Sequence, residues 1–357
     1  MRSVSLVRWR ESQRVNAVIF LALTLLPVLI AVGFVIDRAR LLGAEQAPYH
    51  GVDTAVLATT AGQPIGPLEL VFVIDASDSM GGWKMEVVQS ASKRLVDQLI
   101  AVRGPDHVRV GLVPYATALN AGQYVDRVLG RSLQTDRDEA WTGSDCVIER
   151  DGVAAMTDDA PAPGAFLRSP AETDGAVDLG CPSQPILPLT EDPTAFHAAM
   201  DALVPEWGTA GHLGVSWAWY ILSPKWKSIW PAIAAPSDEE GPDVQKVVLF
   251  LTDGAFAARY WHSDLERGLR LPTLRALEIC RAMRENGIMI FSVGLDLDKT
   301  PWVIQDPREV MGACAGDDDQ FFLAATREEL RSVYAAIANR LVPNALTYSV
   351  LGDADGG

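Results

Sequence analysis

Histidine is scarce and scattered in this chain of 357 residues, and the familiar catalytic signatures are missing. There is no HExxH pair, and no histidine and cysteine group together at the spacing of a zinc site. The chain also lacks a GxSxG nucleophile elbow, a P-loop and a GxGxxG motif. These absences argue against the zinc-hydrolase, serine-hydrolase and nucleotide-binding classes, and we predict that the protein is not an enzyme. The histidines are His50, His107, His197, His212 and His262.

Positive charge is also in short supply. Thirty Lys and Arg residues stand against 46 Asp and Glu residues, for a formal net charge of −16. Four of the arginines, with one glutamate, lie in residues 1–16, so the remainder is more acidic still. Because Lys and Arg surfaces bind the phosphates of nucleic acids, we predict no nucleic-acid partner.

One long uncharged run lies near the N-terminus. Ala17 to Ile36 is about as long as a helix that crosses a bilayer, and membrane helices tolerate a proline such as Pro27. More arginines precede the run than follow it, so the positive-inside rule predicts a cytoplasmic tail at 1–16, a transmembrane anchor at 17–36 and an exported remainder. The alternative is a cleaved signal peptide, although its apolar core is normally shorter, with a small-residue cleavage site close behind.

Cysteine is limited to four residues, all of which follow that run. An even number of cysteines in an oxidising compartment predicts two disulfides, for which three connectivities are open. Buried free cysteines are the alternative. The residues are Cys146, Cys181, Cys280 and Cys314.

Strand-like and helix-like segments alternate from residue 68 onward. This alternation predicts an α/β fold with a doubly wound (Rossmann-like), mostly parallel sheet over 68–345. Stretches rich in Gly, Pro and acidic residues predict insertions at about 120–190 and 224–243, and 346–357 is a short tail. The predicted strands are Leu68–Ile74, Val108–Tyr115, Lys246–Thr252, Gly287–Gly294 and Phe321–Leu323. The predicted helices are Trp83–Val102, Asp192–Leu203, one from about Thr209, Leu271–Asn286 and Thr326–Leu341.

The first predicted helix has one apolar face. Val88, Ala91, Leu95 and Leu99 recur at intervals of three to four residues. This periodicity turns the charged residues of the helix outward, namely Lys84, Lys93, Arg94 and Asp97.

The most informative motif follows the first predicted strand. Asp75, Ser77 and Ser79 alternate in a short loop before the glycines that precede the helix. One carboxylate and two hydroxyls at the end of a strand suit a hard divalent cation such as Mg²⁺, which prefers oxygen ligands. The motif therefore predicts a metal site without chemistry on the metal.

Two further loops carry residues of the same kind. Asp253 directly follows the most apolar strand, and Thr209 lies between glycines at the start of a predicted helix. Ligands of doubly wound sheets bind where the parallel strands end, so we expect these loops to meet there. Together the loops would form an all-oxygen cup. The alternative is a purely structural turn in which Asp75 and Ser77 bond loop N–H groups. The predicted metal ligands are Asp75, Ser77, Ser79, Thr209 and Asp253.

This arrangement resembles the von Willebrand factor A (VWA) domain with its metal-ion-dependent adhesion site (MIDAS). The DxSxS sequence, the threonine of the middle loop and the Thr-Asp-Gly at Asp253 carry the resemblance. It implies that Ser77, Ser79 and Thr209 contact the metal directly and that both aspartates act partly through water. The implied metal is Mg²⁺, with Mn²⁺ or Ca²⁺ as alternatives. Its last coordination position would take water or an acidic side chain from a protein partner.

A second resemblance covers nearly the whole chain. The N-terminal layout to about residue 60 is similar to the TadE/TadG-like anchors of Flp (tight-adherence) pilus assembly proteins. The soluble part resembles the same family, although Ser144 and Asp145 are inserted before Cys146. The segments that carry this resemblance are Asn16–Phe20, Val35–Asp37, Trp141–Arg150, Cys181–Pro182 and Leu213–Pro224.

The second resemblance implies a cellular context. The protein would be a single-pass protein of a bacterial inner membrane, with a cytoplasmic N-terminus and a periplasmic VWA domain. Its metal would engage a pilus or envelope assembly component. The resemblance also implies the pairs Cys146–Cys181 and Cys280–Cys314.

Two rival hypotheses remain. In the first, the domain is a metal-independent scaffold of an envelope secretion or pilus assembly complex. The second is a magnesium-dependent phosphohydrolase, which needs a general base or a Lys/Arg cluster beside Asp75 or Asp253. The sequence indicates neither a general base nor a Lys/Arg cluster there, so the scaffold is the main alternative.

Three further features are expected to have no role in binding. His212 is expected to be a solvated residue at a helix start, with a place beside the cup as the alternative. The run Asp317–Asp319 is expected to be a solvated loop, with calcium binding as the alternative. The tryptophans are expected to pack mostly in the core and the insertions, with a recognition patch as the alternative. They are Trp217, Trp219, Trp226, Trp230, Trp261 and Trp302.

Overall fold

A strand of eight buried residues, β1 (Leu68–Asp75), lies in the middle of the main sheet. The computed structural model describes residues 66–131, 145–172, 180–206, 208–238, 244–254, 256, 265–297 and 306–342, with 265–270 described by backbone alone. The chain divides into two compact units, Met1–Gln63 and Pro64–Gly357, and all described residues belong to the second.

Several predictions fall outside these residues. The basic tail at 1–16, the anchor at 17–36 and the tail at 346–357 are among them. Within the part of the chain that is described, no helix combines the length and apolar character needed to cross a membrane.

The main sheet has six strands in the order β5-β2-β1-β6-β7-β8. All neighbours pair in parallel except β5, which runs antiparallel to β2 at one edge. A small antiparallel pair, β3 with β4, lies apart from it. The remaining strands are β2 (Val108–Tyr115), β3 (Leu119–Asn120), β4 (Cys146–Val147), β5 (Leu187–Thr190), β6 (Gln245–Thr252), β7 (Met289–Leu295) and β8 (Phe321–Ala324).

Helices cover both faces of the sheet, as predicted for a doubly wound fold. They are α1 (Trp83–Arg103), the single turn α2 (Val125–Val128), α3 (Pro193–Asp201), α4 (Gly211–Leu222), α5 (Leu265–Glu285), α6 (Pro307–Ala315) and α7 (Arg327–Leu341). Alternate residues of β1 point to opposite faces. Phe72 packs with the core under α1, α3 and α7, whereas Val71 and Val73 pack with the core under α4, α5 and α6.

The chain order reverses between β1 and β6. From β1 the sheet grows through β2 on one side, and on the other side it grows through β6, β7 and β8. This switch point opens a crevice beyond the carboxyl ends of the two strands. Asp75 ends β1 and Asp253 directly follows β6, so both lie at this crevice.

The predicted insertions pack against α4. All twelve residues of this helix are buried, including Trp217 and Tyr220. Trp226, from the second insertion, stacks on Tyr220 with ring centroids 4.2 Å apart, and Trp230 extends the cluster. The prediction that the tryptophans pack in the core and insertions is therefore confirmed for Trp217, Trp219, Trp226 and Trp230, which are all buried. The last residues of the first predicted insertion form β5, so that excursion ends at the sheet edge.

The four cysteines form two disulfides, Cys146–Cys181 and Cys280–Cys314. These are the pairs that the second resemblance implies. The first closes the insertion, and the second joins α5 to α6.

Candidate metal centre

Asp75 is fully buried at the end of β1, and hydrogen bonds hold both of its carboxylate oxygens. The Ser77 backbone N–H donates to Oδ1 at 2.9 Å, and the Thr252 hydroxyl donates to Oδ2 at 2.6 Å. The second bond arises because β1 and β6 pair in register, with Ile74 opposite Leu251. Asp75 is thereby fixed at the floor of the crevice.

A chain of hydroxyls leads from the first loop to Asp253. The Ser77 and Ser79 hydroxyl oxygens lie 3.0 Å apart, and the Ser79 hydroxyl donates to Asp253 Oδ1 at 2.7 Å. Ser77 is buried, whereas Ser79 is exposed. The structure thus brings four of the five predicted ligands into one connected group that opens to the surface at Ser79.

Lys84 also reaches this group, and its predicted outward position is wrong. Its Nζ lies 2.5 Å from Asp253 Oδ2 and donates to the Ser79 carbonyl at 3.2 Å. Only 14% of the Lys84 side chain is exposed. Lys84 lies in the first turn of α1, which begins directly above the crevice, so the long side chain bends back over the loop instead of following the helix face.

Backbone pairing brings the Thr209 loop to the same place. The Glu206 N–H donates to the Ala76 carbonyl at 2.6 Å, and the Ala210 N–H donates to the Ala116 carbonyl at 2.8 Å. Thr209 lies between these anchors and is half-buried. Among the described residues, its hydroxyl has no hydrogen-bond partner. The three predicted loops therefore meet, although Thr209 joins the group by position and not by a side-chain contact.

Gly208 makes that loop possible. Its φ is +83°, and an added Cβ would lie 1.9 Å from the Thr117 hydroxyl oxygen. Only glycine is free of both the strained backbone and the clash at this position.

The two carboxylates oppose each other electrostatically. Burial, and next the negative charge of Asp253, raise the pKa of Asp75 from its ordinary 3.8 to about 7. The hydrogen bonds from Thr252 and Ser77 act in the opposite direction but do not cancel the rise. A cation between the carboxylates would relieve this repulsion.

The donor set fits a hard divalent cation. Two carboxylates and three hydroxyls are all oxygen ligands, as Mg²⁺ or Ca²⁺ prefers. No three side chains of the types His, Cys, Asp and Glu come together in the described ranges, so the group differs from a zinc cluster of those residues.

Sequence reasoning missed two residues of this centre, Thr252 and Lys84. Thr252 was detectable in principle, because the parallel register of β1 and β6 places it beside Asp75. Lys84 was not, because helical periodicity does not show where a flexible side chain ends.

His212 was also mispredicted. It is neither solvated nor part of the cup; its Nε2 lies 2.9 Å from Glu149 Oε2, and only 1% of the residue is exposed. Arg275 forms an ion pair with the same carboxylate. Glu149 comes from the first insertion, 63 residues earlier, so no local pattern indicates this contact.

The run Asp317–Asp319, by contrast, is exposed as predicted.

The family model of the von Willebrand factor type A domain matches residues 69–128. This segment runs from β1 through α2 and includes the DxSxS loop. Together with the parallel sheet order, the match shows that the chain contains a VWA domain.

Several solved structures are similar at low identity. The pilus adhesin SpaC from Lactobacillus rhamnosus GG is 13% identical, with a TM-score of 0.48 over 78% of this chain and 31% of that one. This chain thus spans about a third of the length of that adhesin. The vWF domain of the type V pili tip protein Mfa5 from Porphyromonas gingivalis is 14% identical, with a TM-score of 0.44 over 78% of this chain and 95% of that one.

A third structure is proximal thread matrix protein 1 from the mussel byssus, with a zinc-occupied MIDAS motif. It is 15% identical, with a TM-score of 0.40 over 78% of this chain and 46% of that one. No curated protein matches this chain significantly.

Proposed function

We propose that this chain is a membrane-anchored binding protein whose VWA domain holds a divalent cation and uses it to engage a protein partner. Mg²⁺ is the proposed metal, with Mn²⁺ or Ca²⁺ as alternatives. The metal would supply an electron-poor centre that accepts an acidic side chain of the partner, and the proposal assigns no reaction to the protein. The residues that would hold the metal are Asp75, Ser77, Ser79, Thr209 and Asp253.

The observation that carries this proposal is the connected group at the switch point. Two carboxylates from adjacent strand ends, Asp75 and Asp253, are linked through Ser77 and Ser79 and repel each other. The exposed Ser79 places the outer side of the group within reach of a partner. A buried structural turn would not need a second carboxylate at this position.

The cellular context is part of the same proposal. The uncharged run at 17–36 would anchor the chain in a bacterial inner membrane, with the VWA domain in the periplasm. Two disulfides in one domain support an oxidising compartment. The resemblance to TadE/TadG-like proteins supports a role in Flp pilus assembly and adhesion.

Calorimetric titration of Mg²⁺ into the purified full chain tests the metal site. We expect saturable one-site binding that Asp75→Asn abolishes, because the amide keeps the shape of the carboxylate but removes its charge. Asp78→Asn is the matched control, since Asp78 is an exposed carboxylate of the same loop. Binding that survives Asp75→Asn would remove this group from the metal site.

A capture experiment tests the partner. The wild-type chain should retain pilus assembly components in Mg²⁺, and both a chelator and Asp75→Asn should release them. Capture that is indifferent to both treatments would leave the metal without a role in adhesion.

One observation favours the alternative of a metal-independent scaffold. The ammonium group of Lys84 already neutralises Asp253, so the loops can close without a metal. In that case the Mg²⁺ titration gives no heat in any variant, and removal of the anchor impairs assembly more than Asp75→Asn does.

A further inference from the structure

Lys84 occupies the position where a cation is expected. Its Nζ contacts Asp253 Oδ2 at 2.5 Å, and the carboxylate it neutralises is fully covered. The other oxygen of Asp253 accepts from the Ser79 hydroxyl at 2.7 Å. Both oxygens of Asp253 are therefore engaged within the protein.

The contact has a clear electrostatic reason. A buried carboxylate without a counter-charge is costly, and here a second carboxylate, Asp75, adds repulsion. One ammonium group offsets only part of the charge of two carboxylates. The group thus keeps negative charge that a divalent ion neutralises better than a lysine does.

The Lys84 side chain is also able to leave. It hangs on a flexible four-carbon stem, and 14% of it reaches solvent. Its second contact is with the Ser79 carbonyl, at the rim of the loop. The head group can therefore turn from the cup into water without any rearrangement of α1.

We propose that Lys84 is a built-in counter-cation that competes with the divalent metal for Asp253 and lowers the metal affinity of the cup. This inference rests on the proposed function. The cup has two states, one closed by the ammonium group and one holding the metal with Lys84 displaced to the rim. The tethered ammonium group keeps the apo domain stable, and the site needs a higher metal concentration to fill than it would without Lys84.

Calorimetric titration of Mg²⁺ into three forms of the full chain tests the competition. We expect Lys84→Met to bind Mg²⁺ about tenfold more tightly than the wild type, because a unit positive charge a few Å from a divalent ion opposes its binding even in water. Lys93→Met is the matched control, since Lys93 lies on the same helix and pairs with Asp201, away from the cup. It should bind like the wild type.

Thermal unfolding in a chelator provides the second readout. Lys84→Met should lower the apo melting temperature more than Lys93→Met does, and saturating Mg²⁺ should remove most of that difference. Lys84→Gln should behave like Lys84→Met, which separates the loss of charge from the loss of a hydrogen-bond donor.

The outcomes separate this inference from the proposed function. If the wild type binds Mg²⁺ and Lys84→Met binds it no more tightly, the competition is overturned and the metal site stands. If only Lys84→Met binds, the competition is supported and the metal-dependent function is overturned. If neither the wild type nor Lys84→Met binds Mg²⁺, the competition and the metal-dependent function are both overturned. The same holds if the loss of Lys84 leaves the apo melting temperature unchanged and Mg²⁺ adds no stability.

Discussion

Two buried carboxylates in this domain, Asp75 and Glu149, differ in the direction of their pKa shifts. Burial and the charge of Asp253 raise the pKa of Asp75 to about 7. Burial also acts to raise the pKa of Glu149, but the hydrogen bond and charge of His212, together with Arg275, outweigh it and lower that pKa. Burial is common to both sites, so the neighbours decide the outcome.

The comparison separates a candidate binding site from a structural one. Glu149 has two basic partners, His212 and Arg275, and needs nothing from outside the protein. The cup has two carboxylates for one lysine and opens at its rim. A shortage of positive charge beside an exposed loop is therefore what distinguishes the candidate metal centre.

The Glu149 cluster ties the first insertion to two helices, α4 and α5. Glu149 belongs to the first insertion, His212 to α4 and Arg275 to α5. The next residue, Arg150, is buried and lies over the Tyr220 and Trp226 rings, 4.6 and 5.1 Å from their centroids. Cation–π contact stabilises such a desolvated guanidinium group.

The largest predicted effect is on the Glu149 side of the comparison. Glu149→Gln leaves the Arg275 charge buried without its carboxylate, which should lower the free energy of unfolding by about 3–5 kcal/mol. Asp75→Asn, measured in a chelator, should lower it much less, because the loss of one accepted hydrogen bond is offset by the removal of the repulsion from Asp253. Urea unfolding of both variants measures the contrast. Equal losses would show that the two sites do not differ as proposed.

The pH dependence sharpens the same prediction. A lowered folded-state pKa means that Glu149 contributes stability above its ordinary pKa of 4.5 and loses it as the pH falls through the folded-state value. The groups that face it are His212 and Arg275. The stability advantage of the wild type over Glu149→Gln should thus be full near pH 7 and shrink below about pH 4.5. An advantage that stays constant down to pH 3 would contradict the ion-pair account.

The next effect tests whether the two sites are independent. Replacing Cys146 and Cys181 by alanine opens a loop with a sequence separation of 35, which should cost about 3–4 kcal/mol. This loop carries Glu149 but no residue of the cup, so Mg²⁺ affinity should not change. The Cys280–Cys314 pair, with a separation of 34, is the matched control for loop length. A fall in Mg²⁺ affinity after loss of Cys146–Cys181 would couple the two sites.

The smallest predicted effect on stability comes from the Thr209 loop of the cup. Gly208→Ala forces a side chain into a φ of +83° beside Thr117, which should cost about 2 kcal/mol and displace Thr209. Mg²⁺ affinity should fall with it. Gly254→Ala is the control, because a Cβ there meets nothing within 4 Å. Equal behaviour of the two variants would exclude the Thr209 loop from the site.

Much of the fold was predictable because it depends on local patterns. The strand Val108–Tyr115 lies where it was predicted, and α1 begins at Trp83 as predicted. The start of α7 was also predictable: the Thr326 hydroxyl accepts from the Glu329 N–H, as the capping-box pattern indicates. Lys84 and His212 were mispredicted, since their partners, Asp253 and Glu149, are distant in the sequence.

The sequence alone predicts a doubly wound fold, an oxygen-rich loop at the end of β1 and two further loops that can join it. These features follow from residue periodicity and from the rule that parallel strands end at one edge of the sheet. The tertiary structure alone decided which charges meet, with Lys84 on Asp253 and His212 and Arg275 on Glu149. Such contacts depend on the paths of long side chains and on segments more than sixty residues apart. No local pattern encodes those distances.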